Sequence, residues 1–221
     1  MPAFGQTKLQ IINAVLPRMR EGTVATSSST TYAALVSSVL NTIRTQIEQA
    51  WVWKDLRDTY TVTVTPGTTS YSLTSSGQFA RILDIWNTTS DKEVAQGTFA
   101  DFNERFFAHD TVATGNVREY NVVGLDSNYD LQIDTWPNVT ATNVLKVNLY
   151  LPQQDPTADS TIILIPNQVL IEGMVAYLMA ERGDDNGMAF QMQQQLYTDM
   201  LAGAISNEVA HDSSEVDWAP L

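Results

Sequence analysis

The stretch TYAALVSSVLNTIRTQIEQAWVWKDLRDTYTVTVTPGTTSY, Thr31 to Tyr71, changes its hydrophobic period half way along, and that change decides the fold. In its first half Tyr32, Leu35, Val36, Val39, Leu40, Ile43, Ile47 and Ala50 recur at three- and four-residue steps, the spacing of one face of an α-helix. The opposite face carries Ser37, Ser38, Asn41, Arg44, Thr45, Glu48 and Gln49 and is polar but weakly charged. After the pair Trp51 and Trp53, one expected in the core and one over the junction, the period drops to two. Tyr60, Val62 and Val64 alternate with threonines, as in a half-buried strand. Pro66-Gly67 supplies a turn, and Tyr71 and Leu73 are expected on the returning strand of a hairpin.

Working outward, the spacing predicts a first helix over about Thr7 to Arg20, with Leu9, Ile12, Val15, Leu16 and Met19 on one face and a break or bend at Pro17. Thr23 to Thr30 is a small polar connector, in which Ser29, Thr30 or Thr31 can cap the long helix. Beyond the hairpin, strands are expected at Phe79–Trp86, Arg118–Val123, Tyr129–Trp136 and Asn143–Leu151. A short helix capped by Thr98, with Phe99, Phe102 and Phe106 on one face, lies among them. About six strands joined by short turns point to an antiparallel sheet or small sandwich. Gln153–Ser160 reads as a linker. A helix capped by Asn167 runs to about Arg182 with Leu170, Met174, Tyr177 and Leu178 inward, and a second, from about Met188 to Ala210, buries Phe190, Leu196, Tyr197, Met200 and Ile205. The short turn GDDNG between them predicts an antiparallel helical hairpin.

The expected class is therefore α+β, a helical bundle made from both ends of the chain with an inserted antiparallel β-sheet or sandwich. The expected boundaries are 1–57 for the N-terminal helices, 58–165 for the β domain, 166–210 for the helical hairpin and 211–221 for an extended tail.

Composition narrows the function classes. The 221 residues contain no cysteine, which excludes disulfides and thiolate metal sites. Twelve Lys and Arg against twenty-five Asp and Glu give a net charge of -13, with no basic stripe of the kind that drives nucleic-acid affinity through counterion release. No apolar run is long enough to span a bilayer or resembles an export signal, so no membrane role is expected and the NxT matches at Asn87 and Asn138 are read as chance.

Chemistry is sparse. The two histidines, His109 and His211, have no neighbouring nucleophile in sequence, and no phosphate-cradling glycine loop occurs. Asp184-Asp185-Asn186 lacks the spacing and terminal Glu of a calcium loop. Carboxylates such as Asp84 and Glu93 have nothing to set them apart from surface acids. No catalytic residue, metal or cofactor is expected. Trp218 is different, because an aromatic in the polar tail HDSSEVDWAPL has nothing local to pack on, and burial against another subunit would account for it.

The order and texture of these segments resemble the head-to-tail adaptor, or tail tubular, proteins of short-tailed double-stranded DNA bacteriophages. The resemblance rests on QAWVWKDLRD, YTVTVTPGTTSYSL, FARILDIW, the phenylalanine-containing short helix, the strand ending in Leu151-Pro152 and the closing helical hairpin, and it spans nearly the whole chain. It implies a structural virion protein that forms a dodecameric ring below the portal, extends the DNA exit channel and docks the tail or nozzle protein and tail fibres. It implies assembly in the host cytoplasm and a place in the virion neck, with genomic DNA passing without specific binding. Carried to this chain, the portal-docking arm is the tail, with Val216, Trp218, Pro220 and Leu221 as its contacts. Two other readings stand beside it: another tail-completion or stopper protein, and a carbohydrate-binding β-module whose Tyr and Trp residues would form a platform on one sheet face.

Overall fold

A computed structural model describes residues 5–73, 80–108, 113–183 and 187–212. It is an α+β protein that divides into two compact units. One joins 1–56 to 153–221, and the other spans 57–152.

The first unit is helical. Helix α1 (Lys8–Val15) starts at a capping box in which Thr7 and Gln10 satisfy each other's backbone N–H groups. At Pro17 the helix tightens into a 3₁₀ turn (Leu16–Met19) closed by Arg20 in the left-handed region, as expected from a residue that cannot donate to the helical ladder. Helix α2 (Thr31–Ala50) is capped by the Thr30 hydroxyl, which accepts from Ala33 N at 3.0 Å. A 3₁₀ turn (Lys54–Leu56) follows it. Helix α4 (Asn167–Glu181) is buried almost all round and packs against α1, α2 and α5 (Met188–Asp212). The first residue of α4 is Asn167, and its cap position is held by Pro166 without a side-chain bond.

Tyr177 and Leu196, expected inside, are both exposed. Helix α5 packs chiefly on α4, and its Phe190, Tyr197, Met200 and Ile205 side is half-buried. Leu196 lies about 100° around the helix from Tyr197.

The segment expected as a linker is instead a pinned strap. Pro156 O accepts from Lys8 Nζ, Asp159 Oδ2 accepts from Ser27 N, and the Gln153 side chain bonds Ile162 O and Leu164 N. Just beyond it, Lys8 N donates to Thr161 O and Ile163 N to Gln6 O, a short antiparallel bridge that fixes the entry to α1.

The second unit is a sandwich of two four-stranded sheets around one apolar core. Strands β1 (Arg57–Val64), β3 (Arg81–Asn87), β4 (Lys92–Glu93) and β8 (Asn143–Tyr150) form one sheet in the order β1-β8-β3-β4. Strands β2 (Ser70–Ser72), β5 (Ala95–Gln96), β6 (Glu119–Leu125) and β7 (Leu131–Trp136) form the other, in the order β2-β7-β6-β5. Helix α3 (Phe99–Asn103) is capped by Thr98 and continues as a π-turn through Ala108. It buries Phe102, whereas Phe99, expected beside it, is exposed.

The hairpin expected across Pro66-Gly67 does not form. β1 pairs with β8 along its full length, and β2 pairs with β7 in the opposite sheet. Proline followed by a glycine at φ +83 favours a type II turn, whose twist splays the flanking strands, whereas two-residue hairpins use the mirror-image turns. The turn is thus a corner between sheets, plugged by the Tyr71 hydroxyl, which accepts from Thr65 N and donates to Thr68 O, each at 2.9 Å. Among the described residues the strand pairings are antiparallel except the two-residue parallel contact of β5 with β6, and Thr114 and Asn138 form an isolated parallel bridge.

Candidate interaction surfaces

Among the described residues no group of three acidic or histidine side chains is placed to hold a metal ion, and no helix is long and apolar enough to cross a membrane. The side chains of His109 and His211, and the turn Asp184–Asn186, lie outside the described residues. So does the expected portal-docking arm, Val216, Trp218, Pro220 and Leu221. Asp84 is engaged with the outer sheet face, accepting from Asn148 Nδ2 at 2.7 Å, and Glu93 stands opposite Trp86 in the ladder.

A sugar platform requires aromatics on one face. Register places Tyr60 opposite Val147, and Val147 opposite Ile85, which is the core-facing row. Trp86 faces Lys146, which faces Thr61, on the outside. The exposed Tyr60 and Trp86 therefore project to opposite sides of the sheet. Trp136 is covered by the Arg105 guanidinium, 4.4 Å above its ring.

Among the described residues nothing covers the side of helix α5 that carries Met188, Met192 and Leu196. Met188, Met192 and Leu196, at four-residue steps, are 77%, 67% and 42% exposed. Before His211 its only charged residues are Asp199 and Glu208, and four glutamines occupy much of the remainder. A surface rich in Met and poor in Lys and Glu has the composition of an interface core.

The polar face expected on α2 is in part buried. Arg44 and Glu48, one turn apart, are 3% and 2% exposed and bonded at 3.0 Å. The strap closes over them, with Arg44 also donating to Gln153 O and Asp155. Burial pushes the Glu48 carboxyl up to about 7 against the opposing pull of Arg44. Glu172 on α4 is also buried but shifts the other way. Burial would raise it, yet bonds from Arg18, Gln193 and Gln168 together with the Arg18 charge hold it below the usual carboxylate range. Local pattern could not find the burial of Arg44 and Glu48, because the groups that cover them are about 110 residues away in sequence; the only signal was their i,i+4 spacing.

In the same unit a cavity of about 430 Å³ opens where the turn after α2 meets the start of α4 and the last turns of α5. Its wall is apolar, from Trp53, Ile163, Ile165 and Pro166. Lys54, Asp55 and Glu208 supply its charges, and Glu208 also accepts from Lys54 N at 3.4 Å.

The family model of SU10 adaptor proteins matches residues 6–219, nearly the whole chain. No curated protein matches the sequence.

Proposed function

The chain belongs to the SU10 adaptor protein family, a family of phage structural adaptors, and on that premise we propose that it is a head-to-tail adaptor working as a ring. In this reading copies of the chain, twelve by the resemblance, assemble below the portal of the virion neck. They extend the DNA exit channel and offer the docking surface for the tail or nozzle protein. The residues 211–221 act as the portal-docking arm through Val216, Trp218, Pro220 and Leu221. DNA passes without specific binding, and the net charge of -13 suits a wall that phosphates do not stick to.

The observation that carries the ring is the exposed, methionine-bearing face of α5, on which Asp199 is the one charge among the described residues. A 25-residue helix with Met188 and Met192 largely in water costs solubility in a lone subunit and is accounted for by burial between subunits. The opposite projection of Tyr60 and Trp86 weighs against the carbohydrate module.

The test is to mix the protein with the portal of the same virus and read particle mass and shape, comparing the full chain with one cut after Ala210. A ring that forms with the full chain and weakens with the cut one supports both the adaptor role and the arm. Absence of association with either form sinks the portal reading and favours another position in the tail.

A further inference from the structure

We propose that the Met188, Met192 and Leu196 face of α5 on one subunit seats in the cavity walled by Trp53, Ile163, Ile165 and Pro166 on the next copy of the chain. This rests on the ring reading and deepens it, because it names the two surfaces that neighbouring copies bring together.

The two surfaces lie on opposite sides of one helix. At about 100° per residue, with Met188 as the origin, Asp199 stands at about 20°, Met192 at about 40° and Leu196 at about 80°. Glu208, which lines the cavity, stands at about 200°, the side on which Phe190 and Tyr197 are half-buried. It also lies about 18 Å beyond Leu196 along the axis. Helix α5 therefore stands between its own methionine face and its own cavity, and the two meet only across a boundary between copies. A patch that met its own counterpart would close a two-fold pair and stop there. A ring needs a heterologous contact between two different patches, and this helical unit carries a projecting apolar row and an apolar hollow.

Shape and chemistry agree. The row is about 12 Å long, with its side chains one turn apart. The cavity measures about 430 Å³, with Leu164 exposed on its rim and Ile162 exposed close by in sequence. Methionine, unbranched and polarisable, fills irregular apolar space of this kind. Charge sets the register. Asp199 lies one turn past Leu196 and accepts from Gln195 Nε2, a neutral donor, at 2.7 Å. Lys54 is the only cation lining the cavity, so with Met192 and Leu196 seated, Asp199 comes to the rim where a counter-charge stands. Asp55 and Glu208 on the same rim would repel a more acidic helix, and Gln191 and Gln195, which flank the methionines, are neutral.

The chain has no cysteine, so introduced thiols report this contact alone. The full chain carrying both Met192→Cys and Leu164→Cys, at two exposed positions, is assembled on the portal of the same virus and treated with a short bismaleimide. The expected result on a denaturing gel is a ladder of linked subunits. An equal mixture of the two single variants should give dimers and nothing larger, and each single variant alone should give monomers. Met188→Cys with Asp55→Cys, also exposed, is the second pair should the first disturb the fold. Charge reversal supplies an independent readout: Lys54→Asp and Asp199→Lys should each lower the fraction of subunits in rings, and the two together should restore it. Rings of normal mass with no ladder from either pair overturn this pairing and leave the adaptor reading standing. Dimers from a single variant alone would make the contact two-fold and overturn it as well. A ladder without portal association supports the pairing and counts against portal docking, whereas neither rings nor ladder overturns both.

Discussion

The indole N–H of Trp53 donates to the carbonyl of Ile47 at 2.8 Å, so the side chain that follows α2 closes the last turn of that helix. The final carbonyls of a helix have no partner within it, and no glycine in the left-handed region ends this one. Trp53 satisfies one of them while burying its ring.

Replacing Trp53 by Phe keeps most of the apolar volume and removes the donor. The buried Ile47 carbonyl then lacks a partner, which costs about 1–3 kcal/mol. Trp53→Ala adds a cavity and should cost about 3–5 kcal/mol. Denaturant unfolding of the two variants is the check, and a Phe variant as stable as the parent would show the bond contributes nothing.

Gly173 marks the point where α4 touches two helices at once. A Cβ there would stand 2.8 Å from Ile43 Cγ2 on α2 and 2.8 Å from Tyr197 Cε2 on α5. Alanine is the better helix former by about 1 kcal/mol, yet the crowding of two neighbours outweighs that. Gly173→Ala should destabilise by about 1–3 kcal/mol, with a lowered thermal midpoint. A raised midpoint would mean that the helices separate freely at this crossing.

Glu48 and Glu172 give stability opposite pH slopes. Glu48 is raised from 4.5 to about 7, so the folded state holds its proton where the unfolded chain has lost it. That contribution is complete below about 4.5 and disappears as pH rises to about 7, on the order of 2–3 kcal/mol at most. Glu172 is lowered, so its contribution is present above about 4.5 and is lost on acidification. Unfolding midpoints measured from pH 4 to pH 8 should therefore fall toward pH 7, and Glu48→Gln, a neutral side chain of the same shape, should flatten that fall. A Gln variant with the parental slope would place the titration elsewhere.

What could be read from sequence follows the range of each interaction. The α2 period, the Thr30 and Thr98 caps and the break at Pro17 are local and appear where the residues put them. The sheet switch after β1 was within reach too, because Pro66-Gly67 names a turn type that does not suit a hairpin. Arg44 and Glu48 were not legible, since a strap from beyond the β unit covers them. Nor were β4 and β5, each two residues long and too short to carry any period. For α5, counting apolar residues could not tell a helix packed on two sides from one packed chiefly on a single neighbour, and Leu196 was misplaced for that reason.

The exposed side of α5 then separates folding from assembly. Met192 and Leu196 touch water in the subunit, and Glu is a good helix former, so Met192→Glu and Leu196→Glu should shift stability by no more than about 0.5 kcal/mol. If the face lies between copies of the chain, each new carboxylate is driven into an apolar contact without a counter-charge, and the penalty recurs at every subunit boundary of a ring. The double variant should remain a folded monomer with an unchanged melting curve and should fail to form rings on the portal, as read by native mass measurement. Rings of normal mass from the double variant would remove this face from the assembly and leave its exposed methionines without an account.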